Sequence, residues 1–257
     1  MALKRLPRRL QHGEEATLVE HLGELRARLV ISLLTLVPAF VVAFYFQEDI
    51  VHWLKKPLPD DKVVVTLGVI EPFTTAVKVS LAVAVAVTLP VLLYQLWAFL
   101  APAIETSVQR TVAVFATMAT VLFATGVTFS YVVVLPRALD FLTNFNEDEF
   151  AVQIRASYYF SFVTLTLIAT GLAFQMPIFI LALVRLRILT ADKLRRNRRI
   201  GIVFMVVFAV LLPTVDPVSL ALEVVPLLLL FELSIWLSTY MEKRWDIADE
   251  VSRWSEA

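Results

Sequence analysis

Glu24, Arg26 and Arg28 alternate in the segment Glu20-His21-Leu22-Gly23-Glu24-Leu25-Arg26-Ala27-Arg28-Leu29, directly ahead of a long uncharged run. A carboxylate so placed can take a guanidinium in a short, two-pronged contact, which an ammonium matches only as a point charge. Further along, Glu71-Pro72-Phe73 opens a segment that carries no charge from Val79 to Ile104. Gln175 precedes Met176-Pro177, and Asp216 heads a last apolar run that holds Glu223 and Glu232. An ionisable group within a membrane span costs at least a few kcal/mol unless it faces protein or water, so each is a functional candidate. Glu223 lies seven residues after Asp216, about 10 Å further along a helix and on the same face. It reads either as a protonated, hydrogen-bonded carboxyl or as a working one. Gln175, ten residues ahead of Arg185, lies about 15 Å from that charge and so near a bilayer midplane. It reads equally as a polar contact between helices or as a substrate-facing group. Glu232 falls where it can meet lipid headgroups or a basic connection.

Other chemistries have no residues to carry them. There is no cysteine, and His12, His21 and His52 are scattered. No HExxH pair, no paired catalytic carboxylates and no glycine-rich phosphate loop occurs, so neither catalysis, a metal, a cofactor nor nucleic-acid binding is expected.

The elements that must position these residues are membrane spans. The chain is 59% hydrophobic with mean hydropathy +0.77, against roughly 45–50% apolar for soluble domains. Spans of an all-α integral membrane protein are expected at about 24–46, 72–100, 110–135, 156–184, 199–215 and 217–240, with a charged tail over 241–257. Pro38 marks a kink in the first, and Gly126 a close backbone approach in the third. Tyr94, Trp97 and Phe99, followed by Pro102, read as an interfacial aromatic belt. Gln47 to Lys56, stopped by Pro57, reads as a surface helix, with a second over 136–146 and an extended piece at 63–66. No cleavage site follows the basic start, so the first span is expected to persist. Arg8-Arg9 reads as part of a basic tail rather than as an export signal.

Six spans put both termini on one side. Seventeen Lys and Arg fall on that side and five on the other, which predicts cytoplasmic termini. The fifth apolar run, Ile200 to Leu212, has 13 residues and spans about 20 Å as a helix, short of the ~30 Å hydrocarbon core. Local thinning of the bilayer, snorkelling arginines or a shifted boundary would each reconcile the two.

Several stretches together resemble one family. They are His21-Leu-x-Glu24-Leu-Arg26-x-Arg28, Glu71-Pro72-Phe73, Pro90-x-x-x-Tyr94-Gln95-x-Trp97-Ala98-Phe99-x-x-Pro102, Phe174-Gln175-x-Pro177, and Asp216-Pro217 with Pro226 and Phe231-Glu232. In order and spacing they are similar to the TatC family, the multi-spanning core of the twin-arginine protein translocase. The resemblance implies a glove-like, concave wall of six helices in the inner (cytoplasmic) membrane of a prokaryote. It implies a receptor and scaffold that binds Arg-Arg signal peptides of folded proteins and recruits single-span TatA- and TatB-type partners, driven by the proton-motive force. It implies association with lipid and with further copies of the chain in a larger complex. Glu24, with Arg26, matches the family's signal-binding region, and Phe99 matches an aromatic lining it. The family's second signal-binding acid falls on Val108, with Glu105 three residues earlier as a substitute. Gln175 matches the polar position of the concave groove. Glu223, Asp216, Glu71 and Pro57 complete the candidate groove and partner contacts. The alternative is a proton-coupled small-solute transporter using Glu223 and Gln175.

Overall fold

The computed structural model describes residues 18–100, 108–147, 149, 152–185, 188–213 and 216–255. Glu105 and the Arg8-Arg9 pair lie outside them. Ten helices and one pair of short strands account for these residues: α1 Leu18–Tyr45, α2 Gln47–Lys55, β1 Val64–Val65, α3 Glu71–Leu100, α4 Val108–Phe129, α5 Leu135–Asn144, β2 Ile154–Arg155, α6 Ala156–Ala173, α7 Met176–Arg185, α8 Ala191–Arg196, α9 Arg198–Val210 and α10 Pro217–Ser255.

Five stretches are long and apolar enough to cross a membrane: Leu22–Tyr45, Glu71–Phe99, Ala113–Asn144, Ala156–Arg185 and Pro217–Lys243. The other expected span is α9, which has 13 residues. Burial ranks the five. The window within Ala156–Arg185 is 67% buried and that within Leu22–Tyr45 only 6%, so the fourth span is the central post and α1 an outer flank. α3, α4 and α6 pack on one another, α1 lies against α3, and α10 packs on α7 and α9.

Three boundaries differ from the sequence expectation. The third span and the expected surface helix at 136–146 form one run, joined by a π-turn at Ser130–Val134. Pro136 has no N–H to give the preceding turn, and the wider turn absorbs the loss, with Leu135 N–H bonding to the Ser130 carbonyl. The fourth span is broken at Phe174-Gln175, because Pro177 removes the N–H that would bond Ala173. The last helix runs through the expected tail to Ser255.

One end of the molecule is capped by α2 and the strand pair. Leu54 is buried there, and its carbonyl accepts the Tyr159 hydroxyl at 2.9 Å. Tyr131 donates to the Trp53 carbonyl at 2.9 Å while its ring stacks on Trp53 at 3.9 Å. β1 and β2 are parallel, with Val64 opposite Ile154 and Val65 opposite Arg155. The opposite end carries α8 and the arginines around it, and is called the basic end below. Thr190 caps α8 by accepting from Lys193 N–H, and Glu242 of α10 accepts the Ala191 N–H at 3.0 Å.

Gly126 is a close-approach position, as expected. A Cβ there would lie 3.0 Å from the Gly171 Cα and 2.8 Å from the Phe174 ring, so α4 and α6 touch almost backbone to backbone. Gly201 does the same for α9, where a Cβ would stand 2.1 Å from the buried Phe231 ring.

Candidate functional site

Arg28 is the organising side chain. It follows Glu24 by one helical turn, so the two share a face of α1. Its Nε donates to Glu24 Oε1 at 3.1 Å, and its Nη2 donates to the same oxygen. Its Nη1 reaches Gln95 Oε1 at 3.3 Å, and Nη2 reaches the Ala98 carbonyl at 2.9 Å. The last carbonyls of a helix have no intrahelical partner and carry partial negative charge. Ala98 is two residues from the end of α3, so the guanidinium satisfies one of these and ties α1 to α3. Among the described residues only Oε1 of Glu24 is engaged. Oε2 has no hydrogen bond among the described residues, and the side chain keeps 28% of its exposure. The arrangement holds a carboxylate at fixed position, with one oxygen engaged by Arg28 among the described residues.

Arg26 is exposed and Phe99 half-buried. Glu105 lies outside the described residues, and Val108 begins α4. Trp97 departs from the expected belt. It is 4% exposed and packs against Phe115 and Phe179 at 5.3 and 6.0 Å, making it a core residue, while Tyr94 is exposed.

Gln175 is 2% exposed. Its Nε2 donates to the Ala119 carbonyl of α4 at 3.0 Å and to Gly171 at 3.5 Å, while Oε1 has no partner among the described residues. It therefore joins helices in this single chain instead of facing an open groove. Glu223 is 1% exposed and accepts from Thr170 Oγ1 at 3.0 Å. Gln175 and Glu223 both reach α6, at the adjacent residues Gly171 and Thr170. Asp216 caps α10, with Oδ1 accepting the Ser219 N–H at 2.7 Å. Glu232 meets Arg198 of the basic end.

Glu71 has a structural task where a groove contact was expected. It is 6% exposed, and its oxygens accept from Leu67 N–H at 2.9 Å, Arg155 Nε at 3.0 Å and Ser157 N–H at 3.0 Å. It thereby neutralises the start of α6 and fixes the strand pair. Pro57 is half-buried just after α2. Sequence reasoning left Arg28 and Gln95 out of the site, although both stand in the motifs quoted above. The signal was present as two motifs, but nothing in either says that they touch.

With this geometry in place, comparison with known proteins is informative. The family model described as Sec-independent protein translocase protein (TatC) matches residues 20–226. The Bacillus subtilis (strain 168) Sec-independent protein translocase protein TatCd is 34% identical over 231 residues, covering 90% of this chain and 95% of that protein. The Escherichia coli (strain K12) TatC is 33% identical over 227 residues, covering 87% and 88%. The Aquifex aeolicus TatC is 36% identical over 227 residues, covering 86% and 93%. A crystal structure of the twin arginine translocase receptor TatC in DDM superimposes with TM-score 0.74 at 34% identity, covering 85% of this chain and 99% of that one.

Proposed function

The chain belongs to the TatC family of Sec-independent protein translocase proteins, and on that footing we propose that it is the receptor and scaffold of a twin-arginine translocase. As a member of that family it is a multi-pass membrane subunit of protein transport, not an enzyme. Its ligand is the Arg-Arg signal peptide of a folded protein, taken up at the basic end, which faces the cytoplasm of a prokaryotic cell. Both termini lie on that side, and the driving force is the proton-motive force. The single observation that carries the reading is the Glu24 carboxylate held by Arg28 against the end of α3, with one oxygen left for an incoming guanidinium. Arg26, Phe99 and Glu105 complete the recognition surface.

Single-span TatA- and TatB-type helices are the partners. Their support is an exposed apolar stripe on α9, formed by Ile200, Val203, Phe204, Val207 and Val210, at the spacing that one helix presents to another.

The test is retention of the detergent-solubilised full chain on immobilised signal peptides carrying Arg-Arg or Lys-Lys. Retention on Arg-Arg, loss on Lys-Lys, and weaker retention in Glu24→Ala and Glu105→Ala are expected. Equal capture by both peptides overturns the reading. Unchanged capture in both variants overturns the acidic site alone.

A further inference from the structure

We propose that Lys78 is a phospholipid-binding residue, whose ammonium holds the phosphate of a lipid in the leaflet at the capped end and favours a headgroup of net negative charge.

Lys78 stands directly before the uncharged run of α3, and a cation on a membrane-spanning helix calls for a counterion. It is exposed, as are Thr74 and Leu81 one turn to either side, so no neighbouring helix covers this strip of α3. Among the described residues Lys78 makes no hydrogen bond and no ion pair. Nor does a carboxylate stand close enough to neutralise it. Glu71, seven residues earlier on the same face, is about 10 Å away along the helix, and its oxygens are taken by Leu67, Arg155 and Ser157. α3 packs on α1, α2, α4 and α6. Of these, α6 has no charged residue, α4 has only Arg110, and α1 has no acid beyond Glu24. Glu48 and Asp49 of α2 are exposed and follow the end of α1. That end meets α3 at Phe73, where Phe44 stands edge-on at 6.4 Å, about 140° around the helix from Lys78.

Depth decides which outside anion comes to it. Glu24 and Arg28, charged and part-exposed, mark a water edge at the Ala98 carbonyl. Lys78 and Ala98 are 20 positions apart on one continuous helix, or about 30 Å, which is one hydrocarbon thickness. The lysine stem thus lies along the last acyl carbons and its ammonium reaches the phosphates of the far leaflet. Leu81, 47% exposed, offers apolar contact to the chains beneath. An anionic headgroup gains most from such a lysine, because a zwitterionic one carries its own cation. The site rests on α3 crossing the bilayer and not on the receptor reading.

Solid-state magnetic resonance of the full chain, with lysine Nζ labelled by heavy nitrogen, tests this in vesicles of phosphatidylcholine and phosphatidylglycerol. The signal lost in Lys78→Met belongs to Lys78, and Lys78→Arg identifies it equally should the first variant fail to fold. Irradiating lipid phosphorus should remove most of that signal, and should remove less of it in phosphatidylcholine alone. A Lys78 signal untouched by phosphorus overturns the proposal. So does a signal attenuated by carbon-labelled Asp and Glu carboxyls instead, which would make the counterion a protein acid of another chain. Equal attenuation in phosphatidylcholine alone overturns the headgroup preference.

Discussion

At the scale of single residues, Arg28 links a helix to its neighbour as much as it holds an acid. Arg28→Gln removes the bonds to Ala98 and Glu24 and should lower stability in detergent by about 1 kcal/mol, a charge-assisted loss discounted for partial exposure. Thermal melting of the two proteins side by side measures it. At the capped end, Lys62 contacts Glu147 at 2.6 Å and Asp61 at 3.1 Å. Hydrogen bonds to Glu147 and then Asp61 hold its pKa above the usual 10.5. A raised folded-state pKa means the contact contributes fully below the unfolded value and fades as pH climbs past the folded one. Lys62→Met should therefore narrow the gap in melting temperature between neutral and strongly alkaline solution, and melts across that range check it. The pair of Glu24 and Arg28 was legible in the sequence because a helix dictates the spacing. Its link to Gln95 and Ala98 was not, since they stand 67 and 70 positions further along the chain. Trp97 misled for a related reason: at the end of an apolar run, an aromatic bound for the interface and one bound for the core look alike.

At the scale of elements, the places where backbones meet are the sensitive ones. A methyl added at Gly126 runs into the Gly171 backbone and the Phe174 ring, while at Gly23 it meets nothing within 4 Å. Gly126→Ala should cost about 1–3 kcal/mol by overpacking, and Gly23→Ala should be neutral or slightly stabilising through helix propensity. Comparative melting distinguishes them. The spans themselves were legible because every backbone group within lipid must be satisfied inside its own helix, and only long apolar runs allow this. What composition hides is how proline is absorbed. Pro38, Pro90 and Pro226 lie inside continuous helices, Pro136 follows a π-turn, and Pro177 accompanies a full break. The difference lies in what the neighbouring helices offer the freed groups, and no local pattern encodes that. The continuation of α10 to Ser255 was missed likewise, because charge marks the end of a membrane span but not the end of a helix.

At the scale of the whole molecule, the short α9 sets the geometry with the bilayer. Its 13 residues cover about 20 Å against a ~30 Å core, so a crossing there requires the lipid to thin, the flanking arginines to snorkel or the boundary to shift. The absence of cysteine makes a labelling scan clean. Single cysteines placed from Arg198 to Pro213 should react with impermeant reagent at both ends, leaving a protected stretch no longer than α9 itself. Protection at every position of the scan, as an ordinary span of about 20 residues would give, would refute the thinning. In the same scan, cysteines at Glu24 and Arg195 should label from the same side.

The break at Phe174-Gln175 bears on how such a wall yields under load. A single straight rod would carry a push at one end to the other. Here the upper piece is clamped to the lid through Ser157 and Tyr159, and the lower piece rides with α10. Strain arriving at the arginine-rich face is thus taken up at an elbow and need not jar the lid, as in a jointed post whose foot can shift while its head stays still.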